Sequence, residues 1–144
     1  MVLVNCGLRA LFVLLVIAVT YLSVAPNPVG VKSGNILTVW LSEHILGDAG
    51  YSDKVAHFTA YFALAGVFVL ARFSTGMRAF AGVVALGAYG GVLEIVQGGI
   101  VSRSMEGLDA LANAAGALSG YPAAMALMAG WRILVGQRTG ETSI

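Results

Sequence analysis

Residues 54–73 read KVAHFTAYFALAGVFVLARF, and this stretch decides the fold. Lys54 and Arg72 bracket it and no charged residue lies between them. It holds about 20 mostly apolar residues, the length at which a helix crosses the hydrocarbon core of a bilayer. Three more windows have the same character. Residues 8–25 are closed by Pro26, Asn27 and Pro28; 79–97 are broken by Gly98 and Gly99; 109–131 lead to Arg132. Backbone polar groups in lipid must be satisfied within the segment, so each window is expected to be helical.

The whole-chain balance agrees. Of 144 residues, 58% are hydrophobic and 10% charged, eight Lys+Arg against seven Asp+Glu, for a net charge of +1. Soluble domains carry about 25% charged residues. Disorder needs low hydrophobicity and high net charge, and a nucleic-acid surface needs a basic excess. None of these fits, so no nucleic-acid partner is expected. Cys6, the single cysteine, permits neither an intrachain disulfide nor a Cys-based zinc site. The expected fold class is all-α, an integral membrane bundle of four transmembrane helices forming one domain over residues 1–144, with loops 26–53 and 98–108 on one side. Residues 29–40 within the first loop read as an interfacial turn or short helix.

The first window also has a signal-peptide reading: Arg9 as the basic region, 10–19 as the apolar region, and Ser23-Val24-Ala25 as the cleavage site. Against this, the apolar run continues through Thr20, Tyr21 and Leu22 to a spanning length. No apolar region precedes Cys6, so it is not a lipoprotein anchor. With four spans, Arg9, Arg72, Arg78, Arg132 and Arg138 share one side. Lys32, Lys54 and Arg103 share the other with Glu43, Asp48, Asp53, Glu106 and Asp109. The cation bias places both termini in the cytoplasm and the two loops outside.

Polar groups gather at the outer ends of three windows. The second opens with Asp53, Lys54 and His57, with Tyr61 one turn on; the third ends with Glu94 and Gln97; loop 98–108 brings Arg103; the fourth opens with Asp109 and Asn113. Spacings of three and four place each pair on one helix face. His57, Glu94 and Asn113 lie roughly 5–6 Å in from their helix ends, at a common depth. Gly87 with Gly91, and Gly116 with Gly120, mark close-packing faces that continue the polar stripes. Ionisable groups within a membrane normally face a partner or a watery cavity, so Glu94 and Asn113 are expected to point inward. Plainer roles stand beside these. Asp53 and Asp109 can act as N-caps, Arg103 can pin its loop by pairing with a carboxylate, and the whole set can be a structural network. Tyr89, Trp40 and Trp131 read as packing or interface anchors, and Met105, Met125 and Met128 as packing.

The string Asp53-Lys54-Val55-Ala56-His57-Phe58, with Tyr61 after it, resembles the second-helix motif of VanZ-like membrane proteins. Glu94 and Gln97 resemble that family's third-helix ending. Arg103, Asp109, Asn113 and Gly116 resemble its fourth-helix signature. The resemblance covers residues 53–120, and the segment 98–102 departs from the aromatic or proline-containing segment of many relatives. It implies a multi-pass protein of the bacterial inner membrane acting in the cell envelope, in a family named for a member linked to teicoplanin resistance. It supplies no reaction.

Three functions compete. The first is an outward pocket formed by Asp53, Lys54, His57, Glu94, Gln97, Arg103, Asp109 and Asn113 that binds an amphiphilic envelope molecule: a lipid-linked glycan, a peptidoglycan precursor or a lipoglycopeptide drug. Lys54 and Arg103 would take a phosphate or carboxylate, and Gln97 and Asn113 would read amides or sugars. The second is an intramembrane enzyme using His57, Glu94 and Asp109 as acid–base candidates. Ser102 and Ser104 lack a nucleophile elbow. The third is an assembly subunit docking on a membrane-protein partner through the Gly87/Gly91 or Gly116/Gly120 face. A metal on His57, Glu94 and Asp109 is geometrically conceivable but lacks HExxH-type spacing, so neither metal nor cofactor is expected.

Overall fold

The computed structural model describes residues 2–25, 36–100 and 105–140. Lys32, Ser102, Arg103 and Ser104 lie outside the described residues, as do the calls made on residues 29–35. Every described element is helical. Helix α1 is Val2–Val24, α2 is Ile36–Leu41, α3 is Ser52–Leu70, α4 is Met77–Gln97 and α5 is Gly107–Gly140. Between α2 and α3 the chain makes one wide helical turn, Ser42–Leu46, and one tight turn, Ala49–Tyr51. Loop 26–53 is therefore partly helical, and the expected short helix near its end is α2.

Among the described residues three helical stretches are long and apolar enough to cross a membrane: Leu3–Val24, Ala49–Leu70 and Met77–Gln97. The fourth expected window, 109–131, falls within α5, which is not among these three. Helix α5 is the longest at 34 residues, but it is rich in Ala and Gly and contains Pro122. Its small side chains have a packing reason. α5 lies against both α3 and α4, with Ala117 and Ala124 in the core beside Tyr61, Leu64, Ala65 and Val83. Large apolar side chains such as Leu14, Ile17, Ile95 and Leu127 face outward, as lipid contact requires.

Glycine sets how closely these helices approach. A Cβ on Gly116 would strike the carbonyl of Phe58, and one on Gly120 would lie 2.5 Å from the carbonyl oxygen of Phe62. This face therefore packs against α3 and is not free for a partner protein, a correction to the docking reading. On α4, Gly87 lies beside Ala114 at ordinary contact distance, while a Cβ on Gly91 would meet nothing within 4 Å. The close approach occurs one residue earlier, at Gly90, where a Cβ would stand 2.7 Å from Asn113 Cβ and 2.9 Å from Tyr61 Cζ. The GxxxG spacing selected the wrong glycine because Gly91 lies about 100° around the helix from Gly90.

Helix α1 starts earlier than residue 8, so Arg9 falls within it rather than at its threshold. There Arg9 donates to the carbonyls of Ala71 and Arg72 at the end of α3, at 3.4 Å each, and lies 5.2 Å from the centre of the Phe73 ring. Further along, Thr20 Oγ1 and Tyr89 OH share a hydrogen bond of 2.5 Å. At the far end, Gln97 Nε2 donates to the carbonyl of Ser23 at 2.9 Å. These contacts join α1 to α3 and α4 at three levels.

Candidate functional site

The N-termini of α3 and α5 and the C-terminus of α4 meet at one end of the bundle. Lys54, in the first turn of α3, is the centre of the outer tier. Its Nζ lies 2.7 Å from Asp53 Oδ2 and 3.0 Å from Asp109 Oδ1, and it also pairs with Glu106 Oε2. An ammonium has three N–H donors, and three carboxylates surround this one. Lys54, expected to take a phosphate or carboxylate of a ligand, is thus paired with three carboxylates of the protein itself. Asp53 and Asp109 are not N-caps: Asp53 follows Ser52 inside α3, and Asp109 is the third residue of α5. The side chain that does cap is Asp48, which accepts from Gly50 N at 2.7 Å before the tight turn.

One turn deeper, His57 Nδ1 lies 3.0 Å from Asn113 Oδ1. The amide oxygen only accepts, so Nδ1 carries the proton and a neutral ring keeps its lone pair on Nε2. Nε2 faces Asp109 Oδ2 at 3.8 Å. Glu94 Oε1 lies 3.7 Å from Nδ1, too long for a hydrogen bond. Asn113 and Glu94 are 1% and 2% exposed. Neither Glu94 oxygen has a hydrogen-bond partner among the described residues, and the same holds for the Tyr61 hydroxyl. A buried carboxylate left in that condition is costly, and such groups call for a functional explanation.

Access is graded. The Glu106 side chain is 46% exposed, those of Lys54 and His57 are intermediate, and Asp109 and Glu94 are buried. The site thus opens at the helix ends and closes on Glu94. Of the residues expected to line it, Asp53, Lys54, His57, Glu94, Asp109 and Asn113 come together, and Arg103 lies outside the described residues. Gln97 does not join them, because its amide nitrogen is engaged with α1. Glu106 completes the lysine cage, although its sequence position marks it only as a loop acid. The signal available for it was its position three residues before Asp109, which places both on one side of the α5 entry.

The set is complementary to a cation or a donor-rich group. Asp53, Glu94, Glu106 and Asp109 supply four carboxylates against Lys54 as the one fixed cation among the described residues of the cluster. One donor atom from each of His57, Glu94 and Asp109 lies within 4.8 Å of the other two. HExxH-type spacing places its ligands on a single helix, whereas here α3, α4 and α5 contribute one residue each. A second grouping, Asp53, Glu106 and Asp109, is the lysine cage itself. Comparison with models of protein families, with curated proteins and with solved structures finds no match to this chain.

Proposed function

We propose that the chain is a VanZ-like protein of the bacterial inner membrane that crosses it four times, with both termini cytoplasmic, and uses the cluster at its outer face to bind the headgroup of an amphiphilic envelope molecule. The observation that carries this reading is the graded burial of the cluster: exposed Glu106 and half-buried His57 lead to a buried Glu94 whose side-chain oxygens have no hydrogen-bond partner among the described residues. Acceptors held in that state are complementary to a ligand that brings donors or positive charge, such as the hydroxyls and amides of a lipid-linked glycan or peptidoglycan precursor, or the peptide of a lipoglycopeptide. The lipid chain of such a molecule would lie along the exposed apolar faces. Four spans are supported by α5, whose 34 residues exceed the crossing length. The docking of α1 through Arg9, Thr20 and Ser23 supports its retention as a bundle member.

The test is native mass spectrometry of protein extracted from its host in mild detergent. A discrete lipid-sized adduct on the wild type, lost from folded Glu94→Gln, is the expected result. Equal adducts on both proteins, or none on either, would move the assignment to a structural network.

A further inference from the structure

We propose that His57, Glu94 and Asp109 hold a divalent first-row transition-metal ion, with Asn113 fixing the orientation of the histidine ring. The donor set is one imidazole nitrogen and two carboxylates, a mixture that suits Zn2+ or Mn2+. Four observations converge on it. The three residues come from three different helices, yet present donor atoms within 4.8 Å of one another. Around an ion about 2.0–2.2 Å from each donor, tetrahedral ligands stand roughly 3.3–3.6 Å apart, so the 3.8 Å between His57 Nε2 and Asp109 Oδ2 needs closure by only a few tenths of an ångström. The Glu94 carboxylate is 2% exposed and has no hydrogen-bond partner among the described residues; its Oε1 stands 3.7 Å from Nδ1, so it joins an ion on Nε2 by turning past the ring edge. Finally, Asn113 accepts the Nδ1 proton at 3.0 Å, which leaves the Nε2 lone pair for the metal. Ligand imidazoles are normally held in this way by an outer partner.

The neighbouring lysine sharpens the assignment. Lys54 fills the Asp53–Glu106–Asp109 cage and touches Asp109 Oδ1, whereas Asp109 Oδ2 is turned toward His57. Asp109 therefore links a cage occupied by an ammonium to a triad with the donors of a metal site. Three protein ligands leave at least one coordination position open on the side of His57, which is the exposed side of the triad. An oxygen of water or of a ligand headgroup would take that position. Only the identity of that outer oxygen rests on the envelope-lipid reading; the ion site stands on its own geometry.

Metal content separates the two. Protein purified in detergent, stripped with a chelator and titrated with Zn2+ or Mn2+, is expected to bind one equivalent of ion by calorimetry and elemental analysis. His57→Gln and Glu94→Gln are expected to abolish stoichiometric binding, and Asn113→Leu to weaken it about 10–100-fold. Gln97→Leu and Glu43→Gln, outside the triad, are expected to bind as the wild type does. Cobalt substitution of the wild type gives a readout that requires no variant to fold: visible d–d absorption of a low-coordinate site with nitrogen and oxygen ligands is expected. Wild type without stoichiometric Zn2+ or Mn2+, or triad variants that bind undiminished, would overturn the site. A lipid adduct without metal would reject the ion and leave the proposed function standing. Metal without a lipid adduct would do the reverse.

Discussion

At the scale of single residues, Lys54 and Gln97 show how one polar layer divides into different jobs. Both were grouped with the binding residues because they share a depth with Glu94. Depth follows directly from sequence position along a helix, but direction around the helix and choice of partner do not. Gln97 turns toward α1 and satisfies the Ser23 carbonyl, so its role is to hold helix ends together. Gln97→Leu should therefore lower stability by about 1–3 kcal/mol, the cost of a buried group left without its partner, in a detergent unfolding assay. The same variant should keep any adduct or ion bound at Glu94. Lys54 stands in a half-open position, so its three carboxylates are partly screened and the loss on Lys54→Gln should fall short of the about 3–5 kcal/mol of a fully buried pair. Pairing Lys54→Gln with Asp109→Asn should recover part of that loss, because the second change removes a carboxylate that the first leaves unneutralised. Strict additivity of the two in a double-mutant cycle would show that the lysine and Asp109 do not interact.

At the scale of elements, hydropathy made the helices legible and glycine spacing only half-legible. The windows 54–73 and 79–97 lie within two or three residues of α3 and α4 at each end, since charge and glycine mark where lipid-compatible sequence stops. α1 and α5 outrun their windows because a helix continues past the apolar limit when nothing in its sequence breaks it. The short helix α2 and the turns after it were less visible, since they lack the repeated apolar period that identifies a longer helix. For packing, the deciding quantity is what a methyl group would meet. Gly116→Ala would press a carbon onto the Phe58 backbone, which cannot move aside as a flexible side chain would, so the α3–α5 contact should open. Its expected cost is at the upper end of the about 1–3 kcal/mol of overpacking, or beyond. Gly91→Ala meets open space and replaces a poor helix former, so it should be neutral or stabilising by up to about 1 kcal/mol. A thermal-shift comparison of the two in one detergent tests the claim, and equal losses would contradict the assignment of the close face to Gly116.

At the scale of the whole molecule, the ends of the bundle differ in charge. Arg9, Arg72, Arg78 and Arg132 lie toward the end where α3 turns into α4, while Glu43, Asp48, Asp53, Glu94, Glu106 and Asp109 lie toward the other. Loop cations are retained on the cytoplasmic side during insertion, so the arginine end should face inward and the carboxylate cluster outward. The shared depth of that cluster was readable from sequence because alternate helices run in opposite directions and each carries its polar residues at the same end. Its internal division into a lysine cage and a histidine–carboxylate triad was not, because that depends on which side chains meet across α3, α4 and α5. The orientation has a direct check. Cys6 is exposed and is first replaced by serine, and single cysteines are then placed at Glu43, which is exposed near the acidic end, and at Thr75, in the turn between α3 and α4. In spheroplasts a membrane-impermeant maleimide should label Glu43→Cys and spare Thr75→Cys, and inverted vesicles should reverse the pattern. Labelling of Thr75→Cys from the outside would turn the bundle over, placing the Glu94 cluster on the cytoplasmic face, where finished extracytoplasmic glycans and external glycopeptides would be out of reach.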